Sequence, residues 1–154
     1  MADLRIVADD LSREAIGALI AFHRFEMHRW SPPEAIHAMP RERLAEPDIT
    51  FYSAWRGDAL AGCGALKELA ADHGELKSMR VAPAFLRQGV GEAILLHLIA
   101  EAQRRGYRRV SLETGQPAEF RAAQALYAKH GFTRCAPFGG YLDDDFSLCM
   151  SLTL

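Results

Sequence analysis

The sequence predicts an α/β or α+β domain. Three observations lead there. Apolar residues switch along the chain between alternating and helical spacing, giving the order β-α-α-β-β-β-α-β-α-β-β. One segment, Leu76-Lys-Ser-Met-Arg-Val-Ala-Pro-Ala-Phe-Leu-Arg-Gln-Gly-Val-Gly-Glu-Ala-Ile-Leu, reads as a strand, a tight loop and a glycine-opened helix. A length of 154 residues with 49% hydrophobic content suits one domain over residues 1–154 with a core of its own.

Taken in order, residues 5–8 suit a first strand, and Ser12 suits the N-cap of a helix whose apolar face is Ile16, Leu19, Ile20 and His23. Ser31-Pro-Pro33 breaks that helix and opens a second helical piece from Glu34 to Leu44, which Pro47 ends. Strands over 49–55 and 60–66 flank the Arg56-Gly57-Asp58 turn. Leu76, Met79 and Val81 suit the next strand, and Pro83 forbids its ladder from continuing. Val90, Ile94, Leu95, Leu98, Ile99 and Ala102 then recur at helical spacing, with Gly106 as the residue just past the helix end. Residues 108–113 make a further strand, and Pro117 starts a helix that carries Tyr127. Strands over 132–137 and 146–154 close the chain, the last alternating Phe146, Leu148, Met150, Leu152 and Leu154.

Gly89 and Gly91 fall in the first turn of their helix. Backbone N–H groups are unpaired there and the helix dipole is positive, so two residues without Cβ let a phosphate come close: the segment is an anion cradle. The Walker phosphate loop requires a Lys after its glycine, and none follows Gly89 or Gly91. The dinucleotide fingerprint shares Gly89-Val-Gly91 and finds an acid, Glu113, near the ribose position. Against it, Ile94 fills the third glycine position, and seven residues separate Val81 from Gly89 where that motif turns straight into its helix.

Composition narrows the function classes. A net charge of −2 and a pI near 6.3 give no electrostatic footprint for nucleic acid, and Arg104, Arg105, Arg108 and Arg109 read as cations favoured at a helix C-terminus. Cys63, Cys135 and Cys149 are an odd number without a C-x-x-C pair and are expected to be buried thiols. His23, His28, His37, His73, His97 and His130 lack metal-ligand spacing, so no metal is expected. Met1-Ala-Asp-Leu-Arg has no charged-then-apolar export pattern, and no apolar run approaches about 18 residues, so a cytoplasmic protein without membrane or nucleic-acid partners is expected.

Leu86-Arg-Gln-Gly-Val-Gly91 resembles motif A of the GNAT superfamily of acyl-CoA-dependent N-acyltransferases, with Leu86 standing where the family usually has Arg or Gln. Ala123-Gln-Ala-Leu-Tyr-Ala-Lys-His-Gly-Phe132 resembles the same superfamily's Ala-x-x-Leu-Tyr-x-x-x-Gly-Phe segment, with Phe120 in place of an Asn that often precedes it. The resemblance implies a mixed, mostly antiparallel sheet of about seven strands, flanked by helices and splayed between the two middle strands that bear Met79 and Val110. It implies acetyl-CoA as cosubstrate. Its pyrophosphate would lie on Arg87, Gln88, Gly89, Val90, Gly91 and Glu92, and its pantetheine arm along the backbone of Met79, Arg80 and Val81.

The same resemblance makes Tyr127 the acid that meets the leaving thiolate and Glu75 the base that takes the amine's proton. Glu113 is the alternative base, or a structural partner of the turn at Thr114-Gly115, and selection of an already neutral amine would need no base. Specificity is expected from Phe25 to Ala38, with His28 and His37, and from Phe138-Gly-Gly-Tyr-Leu-Asp-Asp-Asp145. Those three carboxylates either favour a cationic acceptor or form a solvated turn, and Tyr141 would stack on the acceptor. A small-molecule primary amine is the expected acceptor, in a monomer or homodimer. Acylation of a protein N-terminus or Lys, and a non-catalytic acyl-CoA sensor or assembly module, are the alternatives.

Overall fold

A computed structural model describes residues 3–36, 38–141 and 143–154. Its strands are β1 (Leu4–Ala8), β2 (Ile49–Arg56), β3 (Ala59–Ala70), β4 (His73–Val81), β5 (Arg109–Gly115), β6 (Thr133–Arg134) and β7 (Ser147–Thr153). Its helices are α1 (Glu14–Trp30), α2 (Arg41–Leu44), α3 (Val90–Arg104) and α4 (Arg121–Lys129). The strands form one seven-stranded sheet in the order β1-β2-β3-β4-β5-β7-β6. Every neighbouring pair is antiparallel except β4 and β5, which the α3 crossover makes parallel.

Each face of the sheet buries its own apolar set. Leu66, Leu76, Val110 and Leu112 pack with Ile94, Leu95 and Leu98 of α3 on one face. Phe51, Trp55, Cys63 and Ala65 pack with Ile16, Leu19 and Ile20 of α1 on the other. Leu98 is fully buried, so Leu98→Ala is expected to cost about 2–5 kcal/mol in lost transfer energy and cavity.

Three elements differ from the sequence expectation. Ser12 does not cap α1: Arg13 occupies the N-cap position without a side-chain cap, and the Ser12 hydroxyl instead donates to Asp10 Oδ1 at 2.6 Å. The helical piece expected over 34–44 is only a 3₁₀ turn at Pro33–Ala35 and the single turn α2. Pro40 separates them, since its backbone holds ψ at 163° and it offers no N–H to a continuing helix. The strand expected over 132–137 shortens to Thr133–Arg134, because Phe132 is buried in the α3-side core and pairing beyond the strand is a single bond from Cys135 N to Cys149 O.

A bulge in β4 positions the site. Cys63 pairs with Arg80 and Ala65 with Lys77, so Ser78 and Met79 together oppose Gly64. Ser78 takes the positive φ of 54° that this extra residue requires. Gly64 is needed there, since a Cβ would lie 2.8 Å from Ile94 Cγ2. The extra residue shifts the strand's alternation by one. Glu75, Lys77 and Arg80 therefore face α1 and α2, while Met79 and Val81 join the core on the α3 side.

Candidate active site

The α3 end of the site is built from backbone. Gly89 is the N-cap of α3 with φ 80°, and Arg87 has φ 61°, left-handed conformations that turn the chain from the Pro83–Phe85 3₁₀ turn into the helix. Among the described residues, the amides of residues 87–92 make no close hydrogen bond to a backbone carbonyl outside the turns of this loop and α3 itself. An ideal Cβ on Gly91 would lie 3.4 Å from Val81 Cγ2 and 3.7 Å from Leu126 Cδ2, so this glycine faces the crevice between β4 and α4. Gly89, expected inside the first turn, sits one residue before it.

Side chains in this loop are committed elsewhere or solvated. Gln88 Nε2 donates to Ala84 O at 3.3 Å, and Leu86 is 59% exposed. Lys129 Nζ and His130 Nε2 reach Glu92 Oε2 at 2.7 and 2.8 Å, tying α3 to α4 and holding the Glu92 carboxyl below its usual range. Of the expected loop set, then, Glu92 has only its amide left for an anion.

The ladder between β4 and β5 has three rungs, His73 to Arg109, Gly74 to Val110 and Glu75 to Ser111. Beyond them β4 runs on to Val81 and β5 to Gly115 with no further pairing to each other. Tyr127 of α4 points its hydroxyl at the Met79 thioether, 3.9 Å away, and its ring meets Phe132 with centroids 5.8 Å apart. Burial pushes the phenol up to about 12 against the opposing pull of the Arg80 charge.

Arg80 turns its side chain to the α1 face. Its Nε donates to His23 Nδ1 at 2.9 Å, and its guanidinium lies 5.7 Å from the Phe22 ring centroid and 5.6 Å from that of Trp30. Burial, then the Arg80 charge, lowers His23 to about 3, so the imidazole stays neutral and accepts. Only the backbone of Arg80 remains for the role the sequence suggested. Phe120, in place of the expected Asn, is a buried aromatic stacked edge-on with Trp30 at 5.9 Å and Phe146 at 5.5 Å. Gly115 makes room for it, as a Cβ there would come within 2.5 Å of the Phe120 ring.

On the α1 face the site is a network of side chains. Glu75 is 2% exposed, not a solvated strand end. Tyr141 OH donates to Glu75 Oε2, and Lys77 Nζ donates to that same oxygen at 3.3 Å and to Tyr141 OH at 2.7 Å. Burial and the neighbouring Glu75 charge raise the Tyr141 phenol, which stays protonated. Glu113, two residues past the partner of Glu75, accepts from Ser147 Oγ at 3.3 Å. Burial raises its carboxyl to about 7, more than Ser147 and Lys77 lower it. It is a strand residue facing this network, and Thr114-Gly115, expected as a turn, continues β5.

A cavity of about 310 Å³ opens beside Glu75, Lys77 and Tyr141, with Met39, Lys67 and Arg43 also in its wall. Sequence reasoning missed Lys67, Lys77 and Arg43. The first two had a signal, for each places a charge at a strand position in phase with buried neighbours.

The aspartates of the 138–145 loop do not line this cavity; Gly139, Gly140 and Tyr141 do. Asp144 accepts from the amides of Phe146 and Ser147 and so shapes the loop, and Asp143 and Asp145 are exposed. His28 donates from Nδ1 to Arg24 O at 2.7 Å on the helix surface, Phe25 is 60% exposed, and His37 and Leu142 lie outside the described residues. Cys63 and Cys149 are buried, as expected, whereas Cys135 is half-exposed. Among the described residues no group of three or more His, Cys, Asp and Glu side chains is placed to hold a metal, and no helix is long and apolar enough to cross a membrane.

Comparison with known proteins places these features in a family. Residues 18–132 match the model of the acetyltransferase (GNAT) family. The chain is 50% identical over 151 residues to "Uncharacterized N-acetyltransferase YsnE" of Bacillus subtilis (strain 168), covering 98% of this chain and 100% of that one. It is 51% identical over 149 residues to "Uncharacterized N-acetyltransferase YedL" of Escherichia coli (strain K12), covering 97% and 94%. Among solved structures, a GNAT family acetyltransferase from Elizabethkingia anophelis with acetyl-CoA bound superposes with a TM-score of 0.75 at 17% identity, covering all of both chains, a likeness of fold. The chain belongs to the GNAT family and is an N-acetyltransferase.

Proposed function

We propose that the protein transfers an acetyl group from acetyl-CoA to a primary amine of a small molecule, by direct attack in a ternary complex. The observation that carries this reading is the end of the β4–β5 ladder at Glu75 and Ser111, between a loop of open amides on one side and a buried carboxylate network on the other. Arg87, Gln88, Gly89, Val90, Gly91 and Glu92 would offer their amides to the pyrophosphate at the positive end of α3. The unpaired edge of β4 at Met79, Arg80 and Val81 would hold the pantetheine arm by backbone hydrogen bonds, as an added strand is held.

The acceptor amine would enter from the cavity beside Glu75. An alkylammonium with a pKa of about 10.4 must lose a proton before its lone pair can attack the thioester carbonyl. Glu75 would take that proton, directly or through water, with Tyr141 and Lys77 fixing its orientation. Glu113, raised to about 7, is the alternative base. Collapse of the tetrahedral intermediate breaks the C–S bond and releases a thiolate.

Tyr127 would meet that thiolate. A phenol near 12 is protonated throughout the working pH range and is a weaker acid than a thiol of about 8.5. Its contribution is thus a hydrogen bond to the developing charge, strongest in the transition state, with full proton transfer completed by solvent. The test is thiol release from acetyl-CoA across amines, amino acids, aminoglycosides and peptides. Transfer to small amines supports the reading; binding of acetyl-CoA with no transfer to any of them contradicts it.

A further inference from the structure

The cavity that holds Glu75 is cationic, which bears on the acceptor. Arg43, Lys67 and Lys77 line it, and Glu75 is the one carboxylate among its described lining residues. Lys77 is occupied, since its ammonium binds both Glu75 and Tyr141. Arg43 is partly occupied, with its Nε on Glu46 Oε1 at 2.8 Å. Lys67 is different. It is half-buried, it pairs with Glu75 across β3 and β4 so that both side chains leave the same face of the sheet, and it has no hydrogen bond or ion pair among the described residues. Directly opposed residues hold their Cβ atoms about 4.5–5.5 Å apart, so one small molecule spans both.

We infer that the acceptor is a zwitterion of amino-acid type, an amine joined to a carboxylate, with the carboxylate seated on Lys67 and the amine directed to Glu75. The inference rests on the proposed acetyl transfer and specifies its substrate. A cavity of about 310 Å³ stands at the small end of the range for ligand sites, about 300–1,000 Å³. A cation in the wall favours a carboxylate and disfavours a second ammonium, so polyamines and aminoglycosides are expected to be the poorer acceptors. This reverses the cationic acceptor that the three loop aspartates suggested, none of which is in the wall.

The test compares amino acids with their own carboxamides as acceptors at saturating acetyl-CoA. Blocking the carboxylate lowers the amine's pKa and leaves more of it neutral, so intrinsic reactivity favours the amide. The protein is expected to prefer the acid by at least tenfold in kcat/KM. Lys67→Met should raise KM for the acid at least tenfold with kcat within twofold, and Lys67→Arg should keep the preference. Equal or better use of the amides by the parent protein overturns the inference without need of any variant, as does a preference that survives Lys67→Met. Transfer to neutral amines alone overturns this inference and leaves the acetyl-transfer reading standing. Transfer to no amino acid or carboxamide overturns this inference, and transfer to no amine of the wider panel, with acetyl-CoA bound, removes the acetyl-transfer reading as well.

Discussion

On the α3 side of β4, Met79 and Val81 look toward a helix end whose donors are backbone amides, and almost every side chain nearby is apolar, solvated or tied to another helix. On the α1 side, two residues earlier in the same strand, Lys77 and Glu75 meet Tyr141 across 64 and 66 positions of sequence in a buried hydrogen-bonded cluster. One residue of bulge, Ser78, separates the two chemistries. A backbone site tolerates changes of side chain and rejects added bulk. A side-chain site is lost when its groups are changed, so cosubstrate binding at the loop should answer to added bulk, and turnover to the reacting side chains Tyr127, beside the loop, and Glu75, across the strand.

The largest expected effect is at Tyr127, beside the crevice. Tyr127→Phe keeps the ring against Phe132 and removes only the hydroxyl, so kcat and kcat/KM should fall together by about a hundredfold, as for an interaction made only in the transition state. Steady-state rates with a good acceptor check this. Full turnover would return Tyr127 to the role of a packed aromatic.

Next come the carboxylates, where pH separates the candidates. Glu75→Gln should lower the plateau of kcat/KM at least tenfold and remove its acidic limb if Glu75 takes the proton. If Glu113 is the acceptor instead, the limb of the parent lies near 7 and disappears in Glu113→Gln. A limb that follows the acceptor amine's own pKa in both variants would mean that no side chain is the base.

The smallest effects are on stability. His23 is neutral down to about 3 when folded and to 6.5 when unfolded, so it contributes stability above 6.5 that is lost as pH falls toward 3. Glu113 has the opposite sign. Its folded pKa of about 7 exceeds the usual 4.5, so the folded state is progressively disfavoured as pH rises between those values. In thermal melts the difference between Glu113→Gln and the parent should therefore move in the variant's favour from pH 5 to 7. In His23→Gln the variant's deficit should shrink as pH falls below 6.5. Parallel curves for either variant would contradict the assigned environment.

The contrast between the faces also explains what the sequence disclosed. The glycine loop was legible in outline because open amides at a helix start follow from local chain chemistry, although Gly89 is the left-handed N-cap and not part of the first turn. The order of elements along the chain and the Tyr127 helix followed from apolar spacing, and the mixed seven-stranded sheet from the family resemblance. The α1 side was not legible in the same way. Which of Glu75 and Glu113 is buried, and that Tyr141 rather than the loop aspartates reaches the cavity, depend on packing between segments far apart in sequence. Lys67 and Lys77 carried a signal, charge in phase with buried strand positions, that periodicity alone leaves without a partner. Pro40 shows the local limit, since its break in the 34–44 piece is a matter of one backbone angle.

The division of labour along β4 is tested most directly by calorimetric titration of acetyl-CoA into two folded variants, Gly91→Val and Glu75→Gln. A branched side chain at Gly91 projects into the crevice beside Val81 and Leu126 and should raise the dissociation constant at least tenfold, about 1.4 kcal/mol, while Glu75→Gln should bind as the parent does despite its lost turnover. Unchanged affinity in Gly91→Val, or an equal loss in Glu75→Gln, would contradict the account.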